Sequence, residues 1–411
     1  MHEGFIIYCM DLDPSQFCLP PTIRFACSLC AACCHQWPVP LSHSDADRIA
    51  AHLGRSRSDL GFAGLHHDQS TRFSLTLPRD ASGACRFLGP DKSCTLHDAY
   101  VDDLPVKPAM CAVFPYGFLH CPDGIFVSVS FASTAVIQNT GSLLSEVPVD
   151  RLEMIYRQYQ ALDTQAAKRS KEYFAAESME LVSGLALPFA EFRQLNNLLL
   201  DDFVKNAACS SKIDAVQLIA GFMQRLWRLD RLSNAKYGLA KWPGCAFEPQ
   251  QLDNLLLSGL ADRYMPNTGF GVDFDPYGLK LVRGVQDALT TNDYVGREYR
   301  GSSYTASHED FQSGSKIDDL LLRYCLVKIY GRIYCGIGFG ELSMMAGLGH
   351  LLCLVVLLKN SGLSYEDVSQ SLRLMDAILT NTLYDRDCRS MLEIFFLDPD
   401  RPARLKYSNA R

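Results

Sequence analysis

Four thiols fall within eight residues in the stretch Cys27-Ser-Leu-Cys30-Ala-Ala-Cys33-Cys34. Packing does not call for that density. A small buried position is filled as well by Ala or Val, and cysteine is kept chiefly for its reactivity or its ligand chemistry. Two successive Cys-x2-Cys steps are the spacing that lets a loop wrap one iron–sulfur cluster or one zinc ion. Cys33 and Cys34 are adjacent, so their side chains project in different directions unless the backbone turns sharply. One site shared by both is awkward, and a bridging or two-site arrangement is the natural alternative. Further on lie Cys85-Arg-Phe-Leu, then Cys94-Thr-Leu-His97, then Pro108-Ala-Met-Cys111-Ala-Val-Phe114-Pro115. The candidate metal ligands are therefore Cys27, Cys30, Cys33, Cys34, Cys85, Cys94, Cys111 and His97. A tetrahedral zinc or a single iron–sulfur cluster needs four protein ligands, so these allow one site with spares, or two sites. Thiolates suit both metals. All-cysteine runs at x2 intervals lean toward a [4Fe–4S] cluster, and a Cys/His mixture leans toward zinc.

The rest of the composition supports metal rather than disulfide chemistry. Ten of the 16 cysteines lie at or before Cys121, and the other six are scattered singly through apolar sequence. The first residues, Met-His-Glu-Gly-Phe-Ile-Ile-Tyr-Cys-Met-Asp, lack the basic and apolar regions of a secretory signal. The expectation is a cytoplasmic protein, where thiols stay reduced and a cysteine cluster reads as a metal site. The net charge is −7 and no run of Lys and Arg is long enough for a nucleic-acid footprint, so no nucleic-acid partner is expected. The uncharged run Leu342 to Leu358 sits at the short end of the length a membrane span requires, and contains His350, Gly347 and Gly349. It reads as a buried core helix, and no membrane partner is expected. His66-His67 reads as a solvated loop pair. There is no Ser–His–Asp pattern, phosphate-binding loop or His-Glu-x2-His motif.

The elements that must position the thiols are short. Ser44, with Asp47 three residues on, predicts a helix start, and Gly54 its stop. Phe73 to Leu77 and Ile125 to Phe131 alternate, as half-buried strands do, with Ser128 and Ser130 on the polar face. From Asp150, with Glu153 three residues later, the pattern turns helical. Further helices are expected near 188–207, 212–232, 249–264, 317–335, 342–359, 364–381 and 386–397, the one near 364 capped by Ser364 with Asp367 behind it. Asn267 to Gly278 and Thr290 to Gly314 read as loops. The glycine-rich stretch Gly336-Ile-Gly338-Phe-Gly340-Glu341 follows helical rather than strand-like sequence, so it reads as a helix–helix turn and not a nucleotide loop. The fold class is α+β: a small metal-stabilised N-terminal domain over residues 1–145 with few strands and irregular loops, followed by a mostly α-helical domain over residues 150–411.

The three cysteine segments together resemble the bacterial cysteine-cluster family, described as zinc- or iron-chelating, which includes a flagellin lysine N-methylase branch. Cys27-x2-Cys30-x2-Cys33-Cys34 is similar to the motif that names the family. Cys85-Arg-Phe-Leu with Cys94-Thr-Leu-His97 is similar to its Cys-x-Phe/Tyr-Leu and Cys-x-Ile/Leu-His pattern. Pro108-x2-Cys111-x2-Phe114-Pro115 is similar to its Pro-x2-Cys-x2-Phe/Tyr-Pro. Asp319 to Lys328 and Gly362 to Val368 look like the helical tail of the methylase branch. The resemblance implies an iron–sulfur cluster, S-adenosylmethionine as methyl donor and a protein substrate such as flagellin. In that branch a further cysteine follows the second strand, where this chain carries Ser133, with Cys121 the nearest substitute. The function expected is a protein-lysine N-methyltransferase, or else a non-catalytic zinc- or iron-chelating interaction protein.

Overall fold

The computed structural model describes residues 16–36, 39–64, 74–97, 99–102, 104–162, 176–208, 214–229, 232, 253, 256–257, 260, 308–336, 341–359, 363–381 and 386–407. The fold is α+β, with several small sheets toward the N-terminus and helices dominating the C-terminal part. Its elements run β1 (Phe17–Cys18), β2 (Arg24–Phe25), α1 (Ala32–Gln36), β3 (Pro40–Leu41), α2 (His43–Leu53), α3 (Arg57–Leu60), β4 (Ala63–Gly64), β5 (Leu75–Thr76), β6 (Tyr100–Val101), β7 (Leu104–Pro105) and α4 (Ala109–Val113). Then follow β8 (Tyr116–Cys121), β9 (Gly124–Val129), α5 (Thr134–Gln138), β10 (Ser142–Leu143), α6 (Val149–Ala161), β11 (Ser178–Val182), β12 (Leu185–Pro188), α7 (Phe189–Ala208) and α8 (Ala215–Leu226). The chain continues through α9 (His308–Tyr330), α10 (Met344–Lys359), α11 (Tyr365–Asn381), α12 (Arg386–Phe395) and α13 (Arg401–Tyr407).

Backbone packing divides the chain into two compact units. One comprises residues 19–118 and 127–168, and the other residues 1–18, 119–126 and 169–411. The first unit holds every candidate ligand. Its strands are short: β3 and β4 flank β5, β2 pairs with β10, and β6 pairs with β7, all antiparallel. A small apolar core of Leu41, Ala46, Ile49, Leu60, Leu77, Phe87, Leu96 and Val106 lies among them, with Cys85, Cys94 and Cys111 packed against it. An aromatic group of Phe25, Tyr116, Phe118, Tyr156 and Tyr159 fills another part of the unit, with ring centroids 5.2–6.4 Å apart.

The second unit is built on helices. In α10 every residue from Met344 to Leu358 is buried. This agrees with the core-helix reading, and no helix among the described residues is long and apolar enough to cross a membrane. Its glycines permit close approach: a Cβ on Gly347 would collide with the Tyr334 carbonyl, and one on Gly349 with the Phe396 ring. The helix begins at Ser343, whose N–H and hydroxyl donate to Glu393 at 2.6 and 2.7 Å. It ends at Lys359, which pairs with Asp214, the N-cap of α8, at 2.6 Å and with Asp318 at 3.1 Å. Arg332 donates two hydrogen bonds, of 2.5 and 2.7 Å, to Asp123 in the β8–β9 turn. The guanidinium also sits 3.8 Å above the Phe126 ring, a cation–π contact.

The helices expected near 188–207, 212–232, 342–359, 364–381 and 386–397 are present within a few residues, and Ser364 accepts from the Asp367 N–H at 3.2 Å as expected. The helix α9 ends at Tyr330, and residues 337–340 of the glycine-rich stretch lie outside the described residues. Several local expectations need correction. The cap of α2 is Ser42, whose side chain and Asp45 form the capping box; Asp47 instead accepts a hydrogen bond from Arg57 at 2.5 Å. Two overlapping Ser-x2-Asp frames exist there, and the earlier one, Ser42 with Asp45, is the one that forms the box. Pro148, not Asp150, precedes α6 and makes no side-chain cap; its fixed φ suits a helix start, and Asp150 falls in the first turn. The strand β9 is buried on both faces, and the Ser128 hydroxyl is satisfied by donating to the Gly117 carbonyl at 3.3 Å. α9 begins at His308, so residues 308–314 are helical rather than loop. His66-His67, the 249–264 helix apart from isolated positions, and the stretches 267–278 and 290–307 lie outside the described residues.

Two predictions follow from the second unit's buried charges. Asp123→Ala strands the Arg332 guanidinium in the interior and should cost about 3–5 kcal/mol in urea unfolding, whereas Glu153→Ala, in an exposed pair on α6, should cost about 0.5 kcal/mol or less. Burial raises the Glu393 carboxyl above its ordinary range, against the opposing pull of the Ser343 hydrogen bonds. A carboxyl raised on folding contributes stability below its unfolded value and loses it as pH climbs through the folded one. Wild-type stability relative to Glu393→Gln should therefore fall as pH rises above the ordinary carboxylate range, measured by denaturant titration on both sides of it.

Candidate metal centre

The first thiol segment is a loop that runs into α1. Leu29 and Ala31 adopt left-handed backbone, with φ of 51° and 60°. This conformation is uncommon for residues with a Cβ. The chain then closes one helical turn, with the Cys34 and His35 N–H groups donating to the Ala31 carbonyl at 2.9 and 3.2 Å. Two hydrogen bonds tie this turn to the second segment. The Cys85 N–H donates to the Cys34 carbonyl at 2.8 Å, and the Arg79 guanidinium donates to the His35 carbonyl at 2.6 Å.

Cys85 and Cys94 are presented by two turns of the same design. Before Cys85, the Asp80 carboxylate accepts from the Ser82 N–H at 2.8 Å, the Ser82 hydroxyl at 2.6 Å and the Ala84 N–H at 3.0 Å. Before Cys94, the Asp91 carboxylate accepts from the Ser93 N–H at 3.1 Å and the Ser93 hydroxyl at 2.7 Å. Aspartate mimicking a turn in this way is a local device readable as Asp-x-Ser. Each turn narrows to an antiparallel bridge, Arg79 with Cys85 and Leu88 with Cys94. Each cysteine then bends the chain again, Leu88 N–H donating to Cys85 and His97 N–H to Cys94, both at 3.0 Å. The apolar residue two places after each cysteine, Phe87 or Leu96, enters the shared core. The Thr95 N–H and hydroxyl both donate to the Phe87 carbonyl, at 2.9 and 3.0 Å, and lock one turn to the other. This geometry explains why the sequence has an aromatic or aliphatic residue at that offset in both motifs.

The third segment is α4, which starts after Pro108 and ends at Phe114, followed by a cis Phe114–Pro115 bond. It carries Cys111 against the same core as Cys85 and Cys94.

The thiols of these segments stand close enough for their charges to interact. Burial pushes the Cys34 thiol up to about 11, and Cys85, Cys33, Cys94 and Cys27 each add to the rise. Burial likewise raises Cys85, against a hydrogen bond from the Phe87 N–H, with Cys94 adding to it. Burial raises Cys111 most; Lys107 opposes the rise, while Cys94, Cys85 and Cys34 reinforce it. The donor set thus has a defined electrostatic need. Ionising several of these thiols together is opposed by burial and by their neighbours, and a bound cation would relieve both. Cys27 and Cys30 are exposed. His97 is exposed and accepts from the Lys107 ammonium at 3.4 Å. Among the described residues, no three His, Cys, Asp or Glu side chains stand at ligating separation, so the thiols form a neighbourhood rather than a closed coordination shell. Cys121 belongs to the other compact unit, where Arg332 and Asp123 neighbour its thiol and burial pushes it up to about 12. Ser133 precedes α5 as its N-cap residue.

Residues 26–129 match the family model CxxCxxCC. That model is described as "Putative zinc- or iron-chelating domain". The match takes in all three cysteine segments and indicates a zinc- or iron-chelating cysteine cluster. No curated protein and no solved structure matches the chain.

Within the cysteine-cluster domain, sequence reasoning found the cysteines but missed the paired Asp-x-Ser turns that hold two of them. Phe87 is the largest side chain of the core against which Cys85 and Cys94 pack. Phe87→Ala should cost about 3–5 kcal/mol in the unfolding of this unit, and should lower the metal retained per chain after gel filtration.

Proposed function

We propose that the cysteine-cluster domain holds an iron–sulfur cluster of the [4Fe–4S] type, with a single zinc as the other metal its donors suit, through ligands drawn from Cys27, Cys30, Cys33, Cys34, Cys85, Cys94, Cys111 and His97. The observation that carries this reading is the convergence of thiols from three separated segments around one small core. Thiolate donors fit both metals, and the raised thiols fit a site completed by a cation.

The finer reading is an enzyme that methylates a protein lysine, with flagellin as the substrate class. The likeness of the three motifs to the flagellin-methylase branch supports it. S-adenosylmethionine would supply the methyl group: the lysine amine, its ammonium proton given up to solvent, would attack the methyl carbon, and the S–CH3 bond would break to leave S-adenosylhomocysteine. The acidic net charge fits a protein partner better than nucleic acid. One observation favours the second reading, a non-catalytic metal protein of the same compartment. Ser133 stands where the methylase branch has its further cysteine, and a hydroxyl there is a far poorer metal ligand than a thiolate.

Anaerobic purification followed by metal analysis and visible spectroscopy tests the metal. Iron with sulfide and a broad visible absorption is the expected result, and colourless protein with one zinc per chain selects the alternative. Titration of S-adenosylmethionine into the loaded protein tests the enzyme. Binding that perturbs the cluster spectrum is expected of a methyltransferase, and saturating cofactor without effect selects the non-catalytic reading.

A further inference from the structure

We infer that Arg79 is a positioning residue of the metal centre: its guanidinium seats the short helix that carries Cys33 and Cys34 on the hairpin that carries Cys85. The inference rests on the metal reading above and adds to it a residue that is not itself a ligand. Arg79 and Cys85 face each other across an antiparallel bridge. Side chains directly opposite in such a pair lie on the same face. The hairpin around them is closed by the Asp80 N–H, which donates to the Ala84 carbonyl at 2.9 Å, and by the Arg86 N–H, which donates to the Pro78 carbonyl at 3.0 Å. It therefore presents a guanidinium and a thiol side by side.

The helix α1 meets this hairpin through its last carbonyls. Carbonyls at a helix C-terminus have no intrahelical donor and take one from elsewhere. The Cys34 carbonyl accepts the Cys85 N–H at 2.8 Å, and the His35 carbonyl accepts Nη1 of Arg79 at 2.6 Å. The same Nη1 donates to the Gly83 carbonyl, also at 2.6 Å, in the turn that precedes Cys85. A guanidinium amino group carries two hydrogens, one for each carbonyl. One nitrogen thus joins the end of α1 to the turn before Cys85, with its positive charge at the end of a helix that favours a cation. Arg79 is exposed, so hydrogen bonds rather than burial hold its side chain. A helix of five residues has no stability of its own, and its placement depends on bonds from outside it. Of the two bonds from the hairpin, the backbone one forms with any pair of residue types. The other depends on Arg79.

The test begins with metal-free, reduced, full-length protein, labelled with iodoacetamide and mapped by peptide mass spectrometry. In Arg79→Ala, Cys33 and Cys34 should label at least fivefold faster than in wild type, while Cys94 and Cys111 stay within twofold. Metal-loaded Arg79→Ala should release its zinc or iron to a chromogenic chelator at least tenfold faster than wild type. Arg57→Ala is the matched control. That guanidinium bonds Asp47 and His43 and joins α3 to α2, two helices that carry none of the candidate ligands; its metal release should stay within twofold of wild type. Arg79→Lys keeps a cation and a donor, so it should fall between wild type and Arg79→Ala in both measurements, and it decides the matter where the alanine variant fails to fold. Unchanged labelling of Cys33 and Cys34, equal acceleration at all four cysteines, or metal release equal to wild type overturns the positioning role and leaves the metal reading standing. Wild-type protein that takes up neither iron nor zinc overturns the metal reading, and with it any role of Arg79 toward a metal, whatever the labelling shows of its hold on α1.

Discussion

The electrostatic cost of crowding half-buried thiols is the constraint from which the N-terminal unit is best understood. A thiol loses its proton less readily as it is buried, and less readily again beside other thiolates. Cys34 feels both effects, and Cys111 feels them more strongly. Nothing in apolar packing rewards such an arrangement, since alanine or valine would fill the same space without it. A metal cation reverses the sign of the problem. It turns mutual repulsion among thiolates into shared attraction, so binding free energy becomes folding free energy for the loops that carry them.

Those loops have little else. The described strands of the unit that holds the thiols are mostly two residues long, and its core beside the thiols is a handful of aliphatic side chains around Phe87. The backbone compensates locally. Asp80 and Asp91 each satisfy several donors in their turns, so the chain arrives at Cys85 and Cys94 already bent. Their carboxyls are held below the ordinary range chiefly by the Ser82 and Ser93 hydroxyls, so both stay ionised and keep accepting in mildly acidic solution. Hydrogen bonds from Thr95 to Phe87, and from Cys85 to Cys34, then join separate turns into one support.

How much of this was legible depended on the range of the interaction that decides it. Helices in the C-terminal part announced themselves because their apolar periods are long, and burial of one face fixes them whatever the neighbours. Gly54 and Ser364 were readable as caps because capping is settled within four residues. The start of α2 is ambiguous in sequence because two Ser-x2-Asp frames overlap, and local spacing does not choose between them. Ser128 was assigned to a polar face because alternation cannot tell a solvated serine from one bonded to a buried carbonyl. In the candidate centre the cysteines were legible by type and spacing. Which of them pack against one core was not, because that follows from Phe87 and Leu96 entering it from two turns.

The cysteines outside the cluster sharpen the same point. Cys325, Cys335 and Cys353 are buried in the helical unit, and burial raises all three thiols, as it raises Cys121. Cys325 and Cys353 lie in helices whose neighbouring faces are aliphatic, and they act there as small hydrophobes. Residue type is the same in both units, and so is the direction in which burial moves the thiol. The difference is convergence. In the cysteine-cluster domain the thiols sit at turns or on helices of five residues, where a change of chain direction soon follows and separated segments meet. On a long helix, successive cysteines are carried apart along the axis at 1.5 Å per residue. A chain that gathers cysteines from separated segments therefore uses short elements and tight turns, and accepts the small core that comes with them.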